Sequence, residues 1–349
     1  MGDRVEVAIL GATGTVGQKF IRLLEGHPRF RIAELVASER SAGKPYQDVV
    51  AWKQETPIPE AVREMVIKTT ADSLSSPVLM SGLDSSVAGE AETRYASAGH
   101  TVITNSSNHR MDSDVPLVIP EINADHLSLI RKQSGPGAIV ANSNCSTMFL
   151  AMALAPIDRA FGITDVQVST MQGITGAGYP GVSGMDILGN VVPFIKSEEE
   201  KMEEETAKIL GTLRDDHVEP HSMAVSAQCN RVAVYDGHTE TVSIKLRDKA
   251  TPADVRAVLE SFRGMPQEQE LPSAPRRPIV VMDEVDRPQP ARDIWVENGM
   301  ATVVGRIRPC RVLDVKMVIL GHNTVRGAAG AAILNAEACL ALSYIGGSV

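Results

Sequence analysis

Cys145 stands in "VANSNCSTMFLAMALAPI", behind a polar Asn/Ser run and ahead of a long apolar stretch. The apolar pattern reads as a helix that starts near the cysteine. A helix N-terminus lowers a thiol's pKa and offers backbone N–H groups to a developing oxyanion. Most cysteines are simply small buried side chains; the polar flank, and the place at the end of a strand-like run, point instead to a nucleophile. Such a thiol calls for an imidazole nearby. Of eight histidines, His238 follows a glycine at a strand-to-strand turn in "NRVAVYDGHTETVSIKL", with Arg231 seven positions earlier. Spacing alone leaves His217, His221 and His322 as competitors.

A second set of residues suits a nucleotide. "VAILGATGTVGQKFIRLL" reads as a strand, a glycine-rich turn and an amphipathic helix. Gly11, Gly14 and Gly17 are spaced GxxGxxG rather than the usual GxGxxG. The physics carries over: the turn lets Gly11, Thr13, Gly14, Thr15 and Val16 bring backbone close to a pyrophosphate, which the helix N-terminus attracts. The next strand ends in "VASERSAGK". Glu39 is the acid that a ribose diol would favour, but Ser38, Arg40 and Ser41 around it suit a 2′-phosphate, with a charged donor fork and hydroxyls. The cofactor expected is therefore NADP(H), with NAD as a weaker alternative. Ser81 in "VLMSG" and Asn105 in "ITNSS" fall at carboxyl ends of strands, where cofactor contacts are expected.

These residues need a frame, and the sequence supplies two. "EVAILG", "RIAELVAS", "SPVLMSGL", "TVITNSS" and "AIVANS" read as buried parallel strands alternating with helical segments, which predicts a doubly wound α/β (Rossmann) sheet. After Cys145 the strand-like runs lengthen and alternate: "FGITDVQVSTMQ", "NRVAVYDGHTETVSIKL", "PIVVMDEV" and "MATVVGRIRPCRVLDVKMVIL" predict a mixed or antiparallel sheet. "QEQELPSAPRRP" reads as a loop, and the closing "TVRGAAGAAILNAEACLALSYI" as a small-residue helix returning to the first domain. The expected division is residues 1–144 as the dinucleotide-binding domain, completed by a helix over 324–349, with residues 145–323 as an α+β catalytic and dimerisation domain.

Bulk properties narrow the class. A chain of 349 residues accommodates two domains, and its 43% apolar content supplies their cores. The four cysteines form no C-x-x-C pair, which argues against a disulfide framework or a zinc knuckle, and no metal is expected. A net charge of −9 disfavours nucleic acid as a partner. No apolar run approaches the ~18 residues of a membrane span. No signal-peptide pattern precedes the first strand, so a cytoplasmic location is expected.

The chain resembles the aspartate-semialdehyde dehydrogenases, more closely the archaeal and fungal type than the common bacterial one. The matching segments are "GATGTVGQKF", "SERSAGKPY", "NSSNHR", "VPLVIPEIN", "NSNCST", "STMQGITGAGYPG", "CNRVAVYDGHTETVSIKL" and "GHNTVRGAAG", in the family's order and across nearly the whole chain. The resemblance implies a Rossmann domain plus a catalytic domain like that of glyceraldehyde-phosphate dehydrogenase, assembled as a homodimer or homotetramer. It implies NADPH-dependent, reversible reduction of 4-phospho-L-aspartate to the semialdehyde through a cysteine thioester, with release of inorganic phosphate.

By the same resemblance Cys145 is the nucleophile, His238 the acid/base and Gln172 the residue orienting the substrate. Arg231 is implied at the substrate carboxylate, Arg110 at a phosphate, and Asn144 as a further substrate contact beside the thiol. Glu198 and Lys201 fit the family's Glu-x-x-Lys pair, for amine and phosphate, although Glu199 and Glu200 are adjacent. Asn323 in "GHNT" is implied at the nicotinamide amide, and "GITGAGYPG" as the glycine loop beside it. Malonyl-CoA reductase or another acyl reductase on the same scaffold is the rival, separated from this reading by the acid that a free α-amine requires. A nucleotide sensor with a decayed site would be expected to have lost one of Cys145, Gln172, Arg231 and His238.

Overall fold

The computed structural model describes residues 4–345. The first aliphatic runs become β1 (Val5–Leu10), β2 (Phe30–Val36), β3 (Val78–Ser81), β4 (Thr101–Thr104), β5 (Leu117–Val118) and β6 (Ala138–Asn142). All pair in parallel, in the order β2-β1-β3-β4-β6-β5. Parallel strands covered on both faces carry continuous apolar runs rather than an alternation; β3 and β6 are buried at every position. The order reverses around β1, so the crevice at its carboxyl end is where such a sheet takes ligands. There the chain turns through Gly11 into helix α1 (Thr15–Leu24).

After β6 comes α2 (Cys145–Phe161), with every residue from Ser146 to Ile157 buried. A helix that is apolar all round belongs inside a core. Nine further strands follow among the described residues: β7 (Ile163–Gln172), β8 (Val191–Val192), the small ribbon of β9 (Thr212–Leu213) and β10 (Val218–Glu219), β11 (Ala224–Val232), β12 (His238–Leu246), β13 (Ile279–Val281), β14 (Thr302–Pro309) and β15 (Val315–Gly321). Seven of them form a mixed sheet, β13-β14-β15-β12-β7-β11-β8. Along β12 every second residue from His238 to Leu246 is buried, the period of a strand with one face on a core.

Within this largely antiparallel sheet β11 runs parallel to β7, which requires a crossover. Helix α3 (Glu198–Ile209) lies in that crossover and packs on β11. The C-terminal run opens with a π-turn, Val325–Ala329, before α4 (Gly330–Ala341).

Two compact units result. One holds the chain up to Val118, Asp125–Asn142 and the part from Ala328 onward; the other holds Ile119–Ala124 and Ser143–Gly327. The excursion of Ile119–Ala124 has a visible anchor inside the second unit. Arg326 donates two hydrogen bonds to Glu121, at 2.9 and 2.8 Å, and both side chains are fully buried. No helix among the described residues is long and apolar enough to cross a membrane.

Candidate active site

Strand register assembles the centre of the second unit. β11, β7 and β12 lie side by side, and their pairing sets Arg231 opposite Gln172 and Gln172 opposite His238. A single cross-strand row thus holds a guanidinium, an amide and an imidazole, all buried. Of the four histidines that spacing left open, only His238 lies in it. His217 pairs with Asp216, His221 with Asp158, and His322 packs edge-on against Trp295.

Helix α2 brings the thiol to this row. Cys145 is its first residue, partly exposed and in no disulfide. The hydroxyl of Ser146 accepts from Gln172 Nε2 at 2.7 Å, and the ring of Phe149 meets His238 edge-on with centroids 6.5 Å apart. From the other side the π-turn holds Gly327 hard against the Cα and Cβ of Cys145. A Cβ there would fall 2.7 Å from Cys145 Cβ, closer than real carbon contacts allow. Asn144 caps the helix: its Oδ1 accepts from the backbone N–H of Ser146 (2.9 Å) and Thr147 (3.1 Å).

The choice among three adjacent glutamates is visible in the geometry. Ser197, in the left-handed region with φ 56°, starts α3. Glu198 is buried, and its Oε1 accepts from Asn144 Nδ2 (2.9 Å) and Gln172 Nε2 (3.1 Å). Glu199 accepts instead from the Cys229 N–H, and Glu200 is exposed. Lys201 is half-buried three residues on, the spacing of one helical face. Glu205, seven residues on, accepts from the Asn144 N–H at 2.7 Å.

His238 is fully buried, and desolvation pulls its imidazole down to about 3, with the Arg231 charge adding to the effect. The ring is therefore neutral. The Gly173 N–H is shared between the Gly237 carbonyl (3.0 Å) and His238 Nδ1 (3.1 Å). With the Gly173 N–H aimed at Nδ1 the ring proton is assigned to Nε2, against the pull of the Gly237 carbonyl, which raises the imidazole pKa. That atom lies beneath Gly176, where a Cβ would come within 3.1 Å of Nε2 and 2.8 Å of Arg231 Nη1. Arg231 Nη1 itself donates to the Gly173 carbonyl at 2.7 Å. Burial lowers the Arg231 pKa, while Cys145 and Glu198 push it back up. The arrangement offers a thiol, a neutral N–H donor, a cation and an anion to one small polar acyl compound.

Asn323 is 3% exposed and its amide is engaged at both ends: Oδ1 accepts from the Gly237 N–H (2.8 Å), and Nδ2 donates to Thr175 Oγ1 (2.9 Å). The sequence motifs single out none of Ser146, Glu205 and Gly327, and they give Gly176 only as part of the glycine loop implied beside the nicotinamide. The spacing of Glu198, Lys201 and Glu205 was the one usable signal; contacts of the two glycines come from chain segments remote in sequence.

The first unit carries the nucleotide candidates. Gly11 has φ +77°, and a Cβ there would meet the Gly82 carbonyl oxygen at 2.7 Å; one on Gly17 would meet the Gly11 oxygen at 2.2 Å. Gly14 is the N-cap of α1, and no side chain caps that helix. Thr13, Thr15 and Val16 are partly exposed around it. This is bare, close-approaching backbone at a helix N-terminus, which fits a pyrophosphate. Ser38 and Arg40 are exposed and Ser41 half-buried at the end of β2, an arrangement open to a phosphate. Ser81 has no exposed surface; its hydroxyl donates to Glu92 at 2.6 Å. Asn105 Nδ2 donates to the Ser81 carbonyl, and Arg110 donates to the Asn105 carbonyl at 2.6 Å. Among the described residues no group of three or more His, Cys, Asp or Glu is placed to hold a metal.

Comparison with known proteins agrees with this geometry. Residues 6–130 match a family model described as "Semialdehyde dehydrogenase, NAD binding domain", and residues 154–326 match "Semialdehyde dehydrogenase, dimerisation domain". The chain is 50% identical over 341 residues to an aspartate-semialdehyde dehydrogenase of Methanothermobacter thermautotrophicus, covering 95% of this chain and 98% of that one. It is 48% identical over 345 residues to that of Schizosaccharomyces pombe, covering 95% and 97%. A crystal structure of the Candida albicans enzyme "with NADP" superimposes with a TM-score of 0.91 at 42% identity, covering 98% and 99%. The rival assignment to another acyl reductase is not favoured by these relatives. The chain belongs to the aspartate-semialdehyde dehydrogenase family.

Proposed function

We propose that this chain catalyses the reversible, NADPH-dependent reductive dephosphorylation of 4-phospho-L-aspartate to L-aspartate 4-semialdehyde. The observation that carries the reading is the row of Arg231, Gln172 and His238 at the mouth of the Cys145 helix, with the Glu198 carboxylate beside it.

Cys145 attacks the acyl carbon as its thiolate; the bond from that carbon to the phosphate oxygen breaks, leaving a thioester and inorganic phosphate. Bound NADPH supplies the hydride that reduces the thioester. The oxyanion that forms on the former carbonyl oxygen is met by the His238 Nε2–H. A neutral imidazole suits this task, because its donor is aimed without the cost of a buried charge. When the C–S bond breaks, the thiolate returns to the helix N-terminus that stabilises it. Arg231 grips the α-carboxylate with its planar fork, and Glu198 takes the α-ammonium while Gln172 keeps the carboxylate and the helix in register. Lys201 neutralises phosphate as it leaves.

NADP is the proposed cofactor, held by the Gly11–Val16 turn, with Ser38, Arg40 and Ser41 at the 2′-phosphate. The protein is proposed to act as a homodimer or a pair of dimers.

The deciding assay gives the protein L-aspartate 4-semialdehyde and NADP, with and without inorganic phosphate, and follows NADPH. Phosphate-dependent NADPH formation is expected. Its absence, coupled with NADPH oxidation on adding malonyl-CoA, would keep the thioester chemistry and overturn the substrate.

A further inference from the structure

The turn that delivers His238 is held in an unusual way. Gly237 has φ +104°, a conformation that disfavours any side chain, and a Cβ there would meet Ile294 Cγ2 at 2.7 Å. Both of its peptide groups are tied down. Its carbonyl accepts from the Gly173 N–H at 3.0 Å, and its N–H donates to Asn323 Oδ1 at 2.8 Å. Asn323 follows β15 by two residues, and its Nδ2 continues to Thr175 Oγ1 at 2.9 Å. Thr175 Oγ1 in turn donates to Asp236 Oδ1 at 2.6 Å, which returns the path to the residue before Gly237.

The result is a closed ring of hydrogen bonds through three segments distant in sequence: the turn after β7, the turn before β12 and the segment after β15. Two consequences meet at one imidazole. The ring fixes the peptide that leads into His238, and it fixes Thr175, whose neighbour Gly176 lies over His238 Nε2 and Arg231 Nη1. The amide of Asn323 needs both ends for this. A single hydroxyl, Thr175 Oγ1, is donor to one neighbour and acceptor from the other, so it is the link whose removal opens the ring.

We propose that Asn323, Thr175 and Asp236 are positioning residues that set the His238 imidazole, and the Gly176 backbone above it, for the step at the reacting oxygen. This rests on His238 being the group that meets that oxygen.

Thr175→Val removes the hydroxyl at nearly constant shape, and Thr175→Ser keeps it. Steady-state kinetics, NADPH titration by fluorescence and thermal melting are to be run on both, and on Thr175→Val combined with His238→Asn. Small displacements of a reacting group cost up to about 100-fold. The expected result is a fall in kcat of roughly 10- to 100-fold for Thr175→Val, with KM and NADPH affinity little changed. Thr175→Ser should recover most of the rate. Adding Thr175→Val to His238→Asn should cost almost nothing further, since the ring then has no imidazole to set. Unchanged kcat in Thr175→Val, a loss of NADPH affinity in place of kcat, or full additivity in the double variant overturns the proposal. If His238→Asn alone proves as active as the parent, the assignment of His238 has failed instead, and the two failures are told apart.

Discussion

Three groups near the reacting centre are tuned in different ways. Cys145 begins a helix capped by Asn144, and a helix N-terminus favours the thiolate form. Cys145→Ser keeps nearly the same volume but offers a hydroxyl that stays protonated near neutrality. Turnover should fall by at least about 1,000-fold while NADPH still binds, and turnover near the parental value would sink the thioester. His238 is neutral because it is dry. Glu240, two residues along β12, is the least comfortable of the three. It is fully buried, neither carboxyl oxygen has a hydrogen-bond partner, and desolvation, with the Glu198 charge next, raises its pKa well above 4.5. The folded chain therefore holds a proton there that the unfolded chain has lost above about pH 4.5, so this group's stabilisation is present at lower pH and lost as pH rises. Glu240→Gln has no such proton to lose. Its stability relative to the parent should climb by up to about 1.4 kcal/mol per pH unit above pH 4.5. Denaturant melts at several pH values measure it; parallel curves would show Glu240 to be ionised.

Among the elements, strands were more legible than turns. "EVAILG" became β1 and "GITDVQVSTMQ" became β7, because aliphatic runs and period-2 alternation are local properties of the chain. The single-glycine contacts were not legible. Nothing local to "GITGAG" says that Gly176 will lie against His238 and Arg231, since the register of three strands decides it. The same holds for Glu198 over Glu199 and Glu200, which depends on how Ser197 opens α3. Gly176→Ala tests the turn after β7. The position is exposed and its φ is not left-handed, so an alanine there is compatible with folding. The added methyl would press on Nε2 and Nη1 and displace one of them. The expected outcome is a loss in kcat/KM of at least about 10-fold, with a melting temperature within about 2 °C of the parent. Parental kinetics would mean that the turn stands off the imidazole in solution.

For the molecule as a whole, the dimerisation family model spans residues 154–326. That stretch exposes Tyr179, Met185, Leu188 and Phe194, at 67%, 94%, 75% and 67%. Monomers seldom leave several large apolar side chains this open within one short stretch. Self-association makes apparent stability depend on concentration. The melting temperature should rise as protein concentration is raised, in step with the mass found by sedimentation. A constant melting temperature with a monomer mass throughout would contradict it.

The parallel pairing of β11 with β7 across α3 has a consequence for how such a protein changes over time. Gln172, Glu198, Lys201 and Arg231 all lie between the start of β7 at Ile163 and the end of β11 at Val232, whereas Cys145 precedes that stretch and His238 follows it. Four of the residues proposed to hold the acyl compound thus fall in one contiguous stretch, bracketed by the thiol and the imidazole proposed to break and make its bonds. A recombination with breakpoints in the two flanking turns would exchange that block together with Gly173, Thr175 and Gly176, so an incoming block has to keep those three for the imidazole to stay set. Preference for a new acid can be inherited as a single block of coding sequence, and the thiol and its imidazole pass through unchanged.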